Sequence, residues 1–194
     1  IKISEIHLLV EKIYTDQELG ITSNKIKQIL INKRLTYSDF FSYIRRTNLK
    51  GYFILMNSDI FIDNDSITNI QKSNIHNKKE FCALLRYDYI NSKTFSIFGP
   101  RFDSQDTWII HSKFNIPENT ESLFHFPLGT PGCDNKLIYL MSIFGYEIIN
   151  DPISIKTYHV HQSNQRNYSN KDSIKEPWGF VVPYGFHTNN ILNS

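Results

Sequence analysis

Two oxygen-bearing side chains follow an apolar run in the first third of the chain. Residues 52–57 (YFILMN) read as a strand buried on both faces, and Asn57-Ser58-Asp59 closes it. Residues i and i+2 of an extended segment point the same way, and ligands of open α/β sheets bind beyond the carboxyl ends of strands. Asn57 and Asp59 could therefore converge on one oxygen-preferring cation, with an ordinary polar turn as the alternative.

Two imidazoles lie near the other end of the sequence. His159 and His161 flank Val160 at the end of a predicted strand over 154–161, so they share one face of that strand. Imidazole is a common ligand of transition metals, and the pair therefore indicates a metal site. A purely structural role for either histidine is the alternative.

A carboxylate opens the helix predicted over 134–144. Asp134 follows 126–132 (FPLGTPG), a glycine-proline loop of the kind that lets backbone approach a ligand closely. The simplest interpretation of an Asp at this position is an N-cap. The loop is the reason to consider a functional site as well.

A further acid precedes a strand predicted over 107–111. Asp106 and Trp108 share one face there, and a carboxylate beside an aromatic ring suits a sugar, whose hydroxyls and C–H faces they would contact. An edge-strand Asp beside a core Trp is the equal alternative. The basic residues that could meet phosphate are Arg34, Arg86, Arg101 and Arg166.

Composition excludes several classes of function. The formal net charge is +2, from 21 basic and 19 acidic residues, which gives no electrostatic footprint for nucleic acid or an anionic membrane. No apolar stretch approaches a membrane span, and no Walker A, GxGxxG or GxSxG sequence occurs. The two cysteines form no CxxC pair, which favours a reducing compartment and a cytoplasmic protein.

Hydrophobic periodicity predicts one α/β domain that spans 1–194. Early strands alternate with helices, which favours a largely parallel sheet covered on both faces, with an antiparallel extension from the later half. The expected helices are one over Tyr37–Ile44 capped by Thr36 or Ser38, one at 66–72 capped by Asp65, and one at 134–144 closed by Gly145. The expected strands cover 6–12, 26–31, 52–57, 81–87, 94–98, 107–111, 146–150 and 154–161. The aromatic tail at 177–186 is expected to pack back on the domain.

Taken in order, these motifs resemble a GT-A-type glycosyltransferase, which uses a nucleotide-diphospho-sugar. The matching segments are NSDIFID at 57–63, LLRYD at 84–88, SQDTWII at 104–110, FPLGTPGCDNKL at 126–137 and KTYHVHQSNQRNY at 156–168. The resemblance implies a Rossmann-type sandwich in which about 1–60 form the nucleotide-binding side, 61–168 the acceptor and catalytic side, and 169–194 a tail. The strand at 6–12 corresponds to the family's second, so its first nucleotide-binding strand is expected to be missing.

The resemblance also implies roles for individual residues. Asp59, with His159 or His161, would hold Mn²⁺ or Mg²⁺ against the two phosphates, and Asn57 replaces the first acid of the family's DxD motif. Asp134 would be the general base of an inverting transfer to an unknown glycan, protein or lipid acceptor. The sugar-contacting set would be Asn57, Asp106, Trp108 and Arg86. The alternatives are a catalytically degenerate glycan- or partner-binding module and a metal-dependent phosphoesterase or nucleotidyltransferase.

Overall fold

The computed structural model describes residues 3–73, 75–91, 93–160 and 172–184. The strands in these ranges are β1 (Ile6–Val10), β2 (Ile26–Leu30), β3 (Tyr52–Met56), β4 (Ile60–Ile62), β5 (Glu80–Leu84), β6 (Tyr87–Asn91), β7 (Thr94–Ile97), β8 (Thr107–His111), β9 (Glu147–Ile149) and β10 (Thr157–Val160). The α-helices are α1 (Asp16–Leu19), α2 (Tyr37–Thr47), α3 (Asn64–Lys72) and α4 (Cys133–Ile143). The mixed α/β class is confirmed.

The central sheet has the strand order β3-β8-β5-β9. β8 lies antiparallel between β3 and β5, and of the described pairs in this sheet only β5–β9 is parallel. The prediction of a largely parallel sheet is therefore wrong. A parallel neighbour needs a long crossover connection, usually a helix. Here the chain leaves β5 through the β6–β7 pair and returns through the middle of the sheet as β8, and the described residues between them form no helix.

Apolar side chains cover both faces of the central sheet. On one face Phe41 of α2 and Leu137 of α4 pack with Trp108 in the larger core. On the other face Ile70 of α3 packs with Ile109 of β8. Residues 108 and 109 enter different cores because successive side chains of a strand point to opposite faces.

A second sheet has the order β4-β10-β6-β7. β10 lies between β4, to which it is antiparallel, and β6, to which it is parallel. β1 and β2 form a separate parallel pair. The position of β10 brings the segment before residue 160 beside the turn that follows β3, so two parts of the sequence about a hundred residues apart meet.

Local sequence determines how several elements begin and end. α2 starts at a capping box, in which Thr36 and Asp39 satisfy each other's backbone N–H groups. α3 starts two residues before the predicted position, because Asp63 and not Asp65 caps it by accepting from the Ser66 N–H at 2.7 Å. The strand predicted over 81–87 is interrupted at residues 85 and 86, and the chain continues in the second sheet.

The tail between residues 172 and 184 lies against α4 and the central sheet. Gly179 donates its N–H to the carbonyl of Asn135, and Tyr184 donates to that of Asn150. The ring of Phe180 packs edge-on against Phe102, with centroids 5.4 Å apart. In the described part of the chain, none of the helices has the length and apolarity that a membrane span requires.

Candidate functional site

A turn after β3 presents Asp59 to β10. The Ile60 N–H donates to the carbonyl of Asn57 at 3.2 Å, and the Val160 N–H donates to the carbonyl of Asp59 at 2.9 Å. With the backbone fixed in this way, Nε2 of His159 lies 3.0 Å from Oδ2 of Asp59. The carboxylate is about half exposed, and the imidazole is 17% exposed. The structure thus brings together two of the residues that the sequence predicts as metal ligands.

Asn57 and His161 are the other residues predicted near the metal. Asn57 takes part in the turn through its backbone, which agrees with the turn alternative for this residue. His161 lies outside the described residues. Among the described residues, no group of three or more His, Cys, Asp or Glu side chains could hold a metal ion by itself.

Asp88 continues the polar row beside His159. β6 pairs with β10 so that Asp88 is the register partner of His159, and directly paired residues point to the same face of a sheet. Asp88 is not among the site residues predicted from the sequence. Its spacing of two residues from Arg86, just before and within β6, is the signal that could have found it.

Arg86 connects this row to the predicted sugar-contacting acid. Its Nε donates to Oδ1 of Asp88 at 3.1 Å and its Nη1 to Oδ2 of Asp106 at 2.5 Å. The guanidinium also lies over the ring of Phe98, 4.0 Å from the centroid. Its side chain is only 13% exposed, and its neighbouring carboxylates raise the pKa of Arg86 against the opposing effect of burial. Arg86 is therefore a fixed cation that orients two carboxylates.

A second arginine lies on the same aromatic ring. Arg101 stands over Phe98 at 4.9 Å and binds Asp103 through two hydrogen bonds of 2.7 and 2.8 Å. This bidentate pair lowers the pKa of Asp103 and raises the pKa of Arg101. Arg101 is more exposed than Arg86, at 40% of its side chain, so it is the arginine of this cluster that an incoming anion could contact.

Asp134 is not the N-cap of α4. The cap position belongs to Gly132, whose φ of 78° is in the left-handed region and which makes no side-chain cap bond. Asp134 lies inside the first turn, where Oδ1 accepts from the Asn135 N–H at 3.0 Å and Oδ2 accepts from the Gln105 N–H at 3.1 Å. The carboxylate therefore ties α4 to the residue before Asp106.

The surroundings of Asp134 change its acidity. Burial raises the pKa of Asp134 to about 6, with a further contribution from the charge of Asp106 and an opposing effect of the two backbone N–H donors. The neighbouring thiol is different: burial raises the pKa of Cys133 to about 11, so this thiol stays protonated at neutral pH. In this loop the proton-accepting group is therefore a carboxylate and not a thiolate.

Trp108 belongs to the core and not to a sugar-contacting surface. It is 2% exposed, and its ring packs edge-on against Tyr37 with centroids 5.3 Å apart. This burial favours the alternative of a core Trp over a sugar contact, because the side of β8 that carries Trp108 faces the larger core. Asp106 precedes β8, its N–H donates to the carbonyl of Leu84, and its carboxylate stays partly exposed where it meets Arg86.

Of the four arginines that the sequence offers for phosphate, Arg34 holds the glycine-proline loop, and Arg166 lies outside the described residues. Arg34 donates to the carbonyls of Leu128 and Gly129 at 3.2 and 3.1 Å.

No protein-family model matches the sequence, and no curated protein matches it. The site is therefore defined by its geometry and by the resemblance of its motifs.

Proposed function

We propose that this chain is a metal-dependent glycosyltransferase that moves a sugar from a nucleotide-diphospho-sugar to an acceptor hydroxyl, with inversion. One observation carries the proposal: Asp59 and His159 are in contact at 3.0 Å although they lie a hundred positions apart in the sequence. The resemblance of the motif order to GT-A-type glycosyltransferases implies that Asp59, with His159 or His161, holds the metal.

The donor set at this point fits Mn²⁺ or Mg²⁺. Carboxylate oxygen suits both ions, and an imidazole nitrogen shifts the preference toward Mn²⁺. Two protein ligands leave positions for phosphate oxygens and water, as in sites that bind a metal together with its nucleotide. Bound there, the cation would neutralise the charge that develops on the departing diphosphate.

The chain's own residues provide the other functions of a transferase. Asp134, with a pKa of about 6, is ionised at neutral pH and basic enough to accept the proton of an acceptor hydroxyl. Asp106, held in place by Arg86, offers an acceptor for a sugar hydroxyl. Arg101 can supply positive charge to the diphosphate through its exposed edge.

One feature of the same turn favours a second function. Asn57 stands where the resemblance expects an acid, and a weaker metal site would leave a GT-A-like module that binds a glycan or protein without catalysis. Turnover separates the two functions directly.

The test is a screen for sugar release and transfer from UDP-, GDP- and CDP-sugars, with and without Mn²⁺. The proposal predicts Mn²⁺-dependent turnover of at least one donor, which Asp59→Ala abolishes and Asp65→Ala, an exposed acid on α3, leaves unchanged. Donor binding without turnover would instead establish the binding module. Turnover of a nucleoside triphosphate or a phosphodiester with no sugar present would establish a phosphoesterase or nucleotidyltransferase.

A further inference from the structure

The second sheet has an aromatic outer face that neither hydrophobic core includes. Five rings lie on this face: Phe61 of β4, Tyr158 of β10, Tyr87 and Tyr89 of β6, and Phe95 of β7. The strand register places Val160 and Ile97 on the same face. We call this set the aromatic face.

The orientation of the aromatic face follows from strand alternation. Thr157 is fully buried, and its register partner Ile62 packs against the smaller core, so this side of the sheet points inward. His159 shares that inward side. Tyr158 lies between the two along the strand and therefore points outward. The sheet thus carries the proposed metal ligand on one side and the rings on the other.

The rings form one continuous layer. Phe61 stacks on Tyr158 with centroids 5.0 Å apart and an angle of 17° between the planes. Phe95 meets Tyr158 edge-on at 5.3 Å, and Tyr89 meets Phe61 edge-on at 5.0 Å. Such cross-strand pairs stabilise a sheet. Among the described residues, the two outer rings of the layer, Phe61 and Phe95, are left partly exposed.

Exposure and free hydroxyls indicate what the aromatic face can bind. Tyr158 is 7% exposed, whereas Phe61 and Phe95 on either side are 39% and 42% exposed. Within the described ranges, no residue hydrogen-bonds the hydroxyl of Tyr87 or Tyr89, whereas that of Tyr158 donates to Asp63 at 3.0 Å. Exposed ring surface beside available hydroxyls is the combination that a ligand with both C–H faces and hydroxyl groups requires.

The lack of any positive charge among the side chains of the aromatic face narrows the class of ligand, and the carboxylate that touches it, Asp63, is held by the Tyr158 hydroxyl. None of the seven side chains of the aromatic face is ionisable as an acid or base near neutral pH. Single-stranded nucleic acid also stacks on aromatic rings, but its binding needs a positively charged groove along the backbone. A proline-rich peptide needs an aromatic-lined groove, whereas these rings meet edge to face in a layer.

We propose that the aromatic face binds an uncharged oligosaccharide, whose pyranose C–H faces pack on Phe61 and Phe95 and whose hydroxyls bond to Tyr87 and Tyr89. This surface is separate from the proposed metal site, because it lies on the opposite side of the same sheet. It requires no metal and no nucleotide. Sugar binding at the aromatic face is therefore independent of transferase activity.

Calorimetric titration with chitohexaose, cellohexaose and maltohexaose tests the proposal in metal-free buffer. We expect at least one hexasaccharide to bind, and Phe61→Ala and Phe95→Ala each to weaken its affinity about 10-fold, the equivalent of about 1.4 kcal/mol. Ile143→Ala, which removes an exposed apolar side chain from α4, should leave the affinity unchanged. Tyr89→Phe keeps the ring and should weaken binding only through the lost hydroxyl.

Several results would overturn the proposal. Binding of none of the three sugars would do so, as would equal affinity in the wild type and Phe95→Ala. Self-association in sedimentation that Phe95→Ala abolishes, with no sugar binding, would assign the aromatic face to a second copy of the chain. Because Phe95 is partly exposed on an edge strand, we expect Phe95→Ala to fold. If Phe61→Ala fails to fold, the affinity of Phe95→Ala decides the outcome.

Discussion

At the scale of single residues, the chemistry of the site depends on Asp134. Its carboxylate accepts two backbone N–H groups and lies near the charge of Asp106. Asp134→Asn keeps the size of the side chain and one accepting oxygen but cannot take up a proton from an acceptor. We expect turnover to fall on the order of 10²-fold or more with donor affinity preserved, measured by initial rates and by calorimetry. Full turnover in this variant would assign Asp134 to tying α4 to Gln105 alone.

The raised pKa of Asp134 also predicts a pH-dependent stability. Because the folded state binds this proton more tightly than the unfolded state, the contribution is fully present below the unfolded pKa and is lost as pH rises through about 6. Relative to Asp134→Asn, the wild type should therefore gain on the order of 1–3 kcal/mol of unfolding free energy between pH 7 and pH 4. Urea unfolding of both proteins at several pH values measures the difference. A difference that does not change with pH would contradict the assigned acidity.

At the scale of elements, the tail depends on a glycine that contacts α4. A Cβ at Gly179 would come within 2.7 Å of the Tyr139 backbone nitrogen and 2.8 Å of Cγ2 of Ile138. Gly179→Ala should therefore push the tail from α4 and cost about 1–3 kcal/mol. Val182→Ala, at an exposed position of the same tail, is the matched control and should cost much less. Equal unfolding free energies of the two variants would show that the tail does not dock here.

The elements themselves were more predictable than their arrangement. β3 was located from the continuous apolar run of Tyr52–Met56, and β8 from the shorter apolar centre of Thr107–His111, because short apolar runs are typical of buried strands. The insertion of β8 between β3 and β5 was not, because strand order depends on pairings between distant segments that leave no local signal. The same insertion explains why Trp108 lies in the core, although its alternation with Asp106 was identified correctly.

At the scale of the whole molecule, the candidate site exists only through the meeting of distant segments. Asp59 and His159 were identified by residue type and position, and their contact arises from β10 pairing with β4. Asp88 and the bridging role of Arg86 were missed, because an acid and a base two residues apart are common on any exposed strand. The place of Asp88 in the site follows from its pairing with β10, and the bridging role of Arg86 follows from its bond to Asp106. Both partners lie far away in sequence.

Calorimetric measurement of the affinity of UDP for the protein, in the presence and absence of Mn²⁺, tests most directly whether Asp59 and His159 form a metal site for a nucleotide. If Asp59 and His159 hold a cation that bridges to the phosphates, UDP binding should require Mn²⁺. Asp59→Ala and His159→Ala should each abolish this Mn²⁺-dependent binding. GDP and CDP serve as further probes of the nucleotide. The matched controls are Asp65→Ala and His76→Ala, which delete an acid and an imidazole elsewhere and should bind as the wild type does. Mn²⁺-dependent binding of the same affinity in Asp59→Ala would contradict the account.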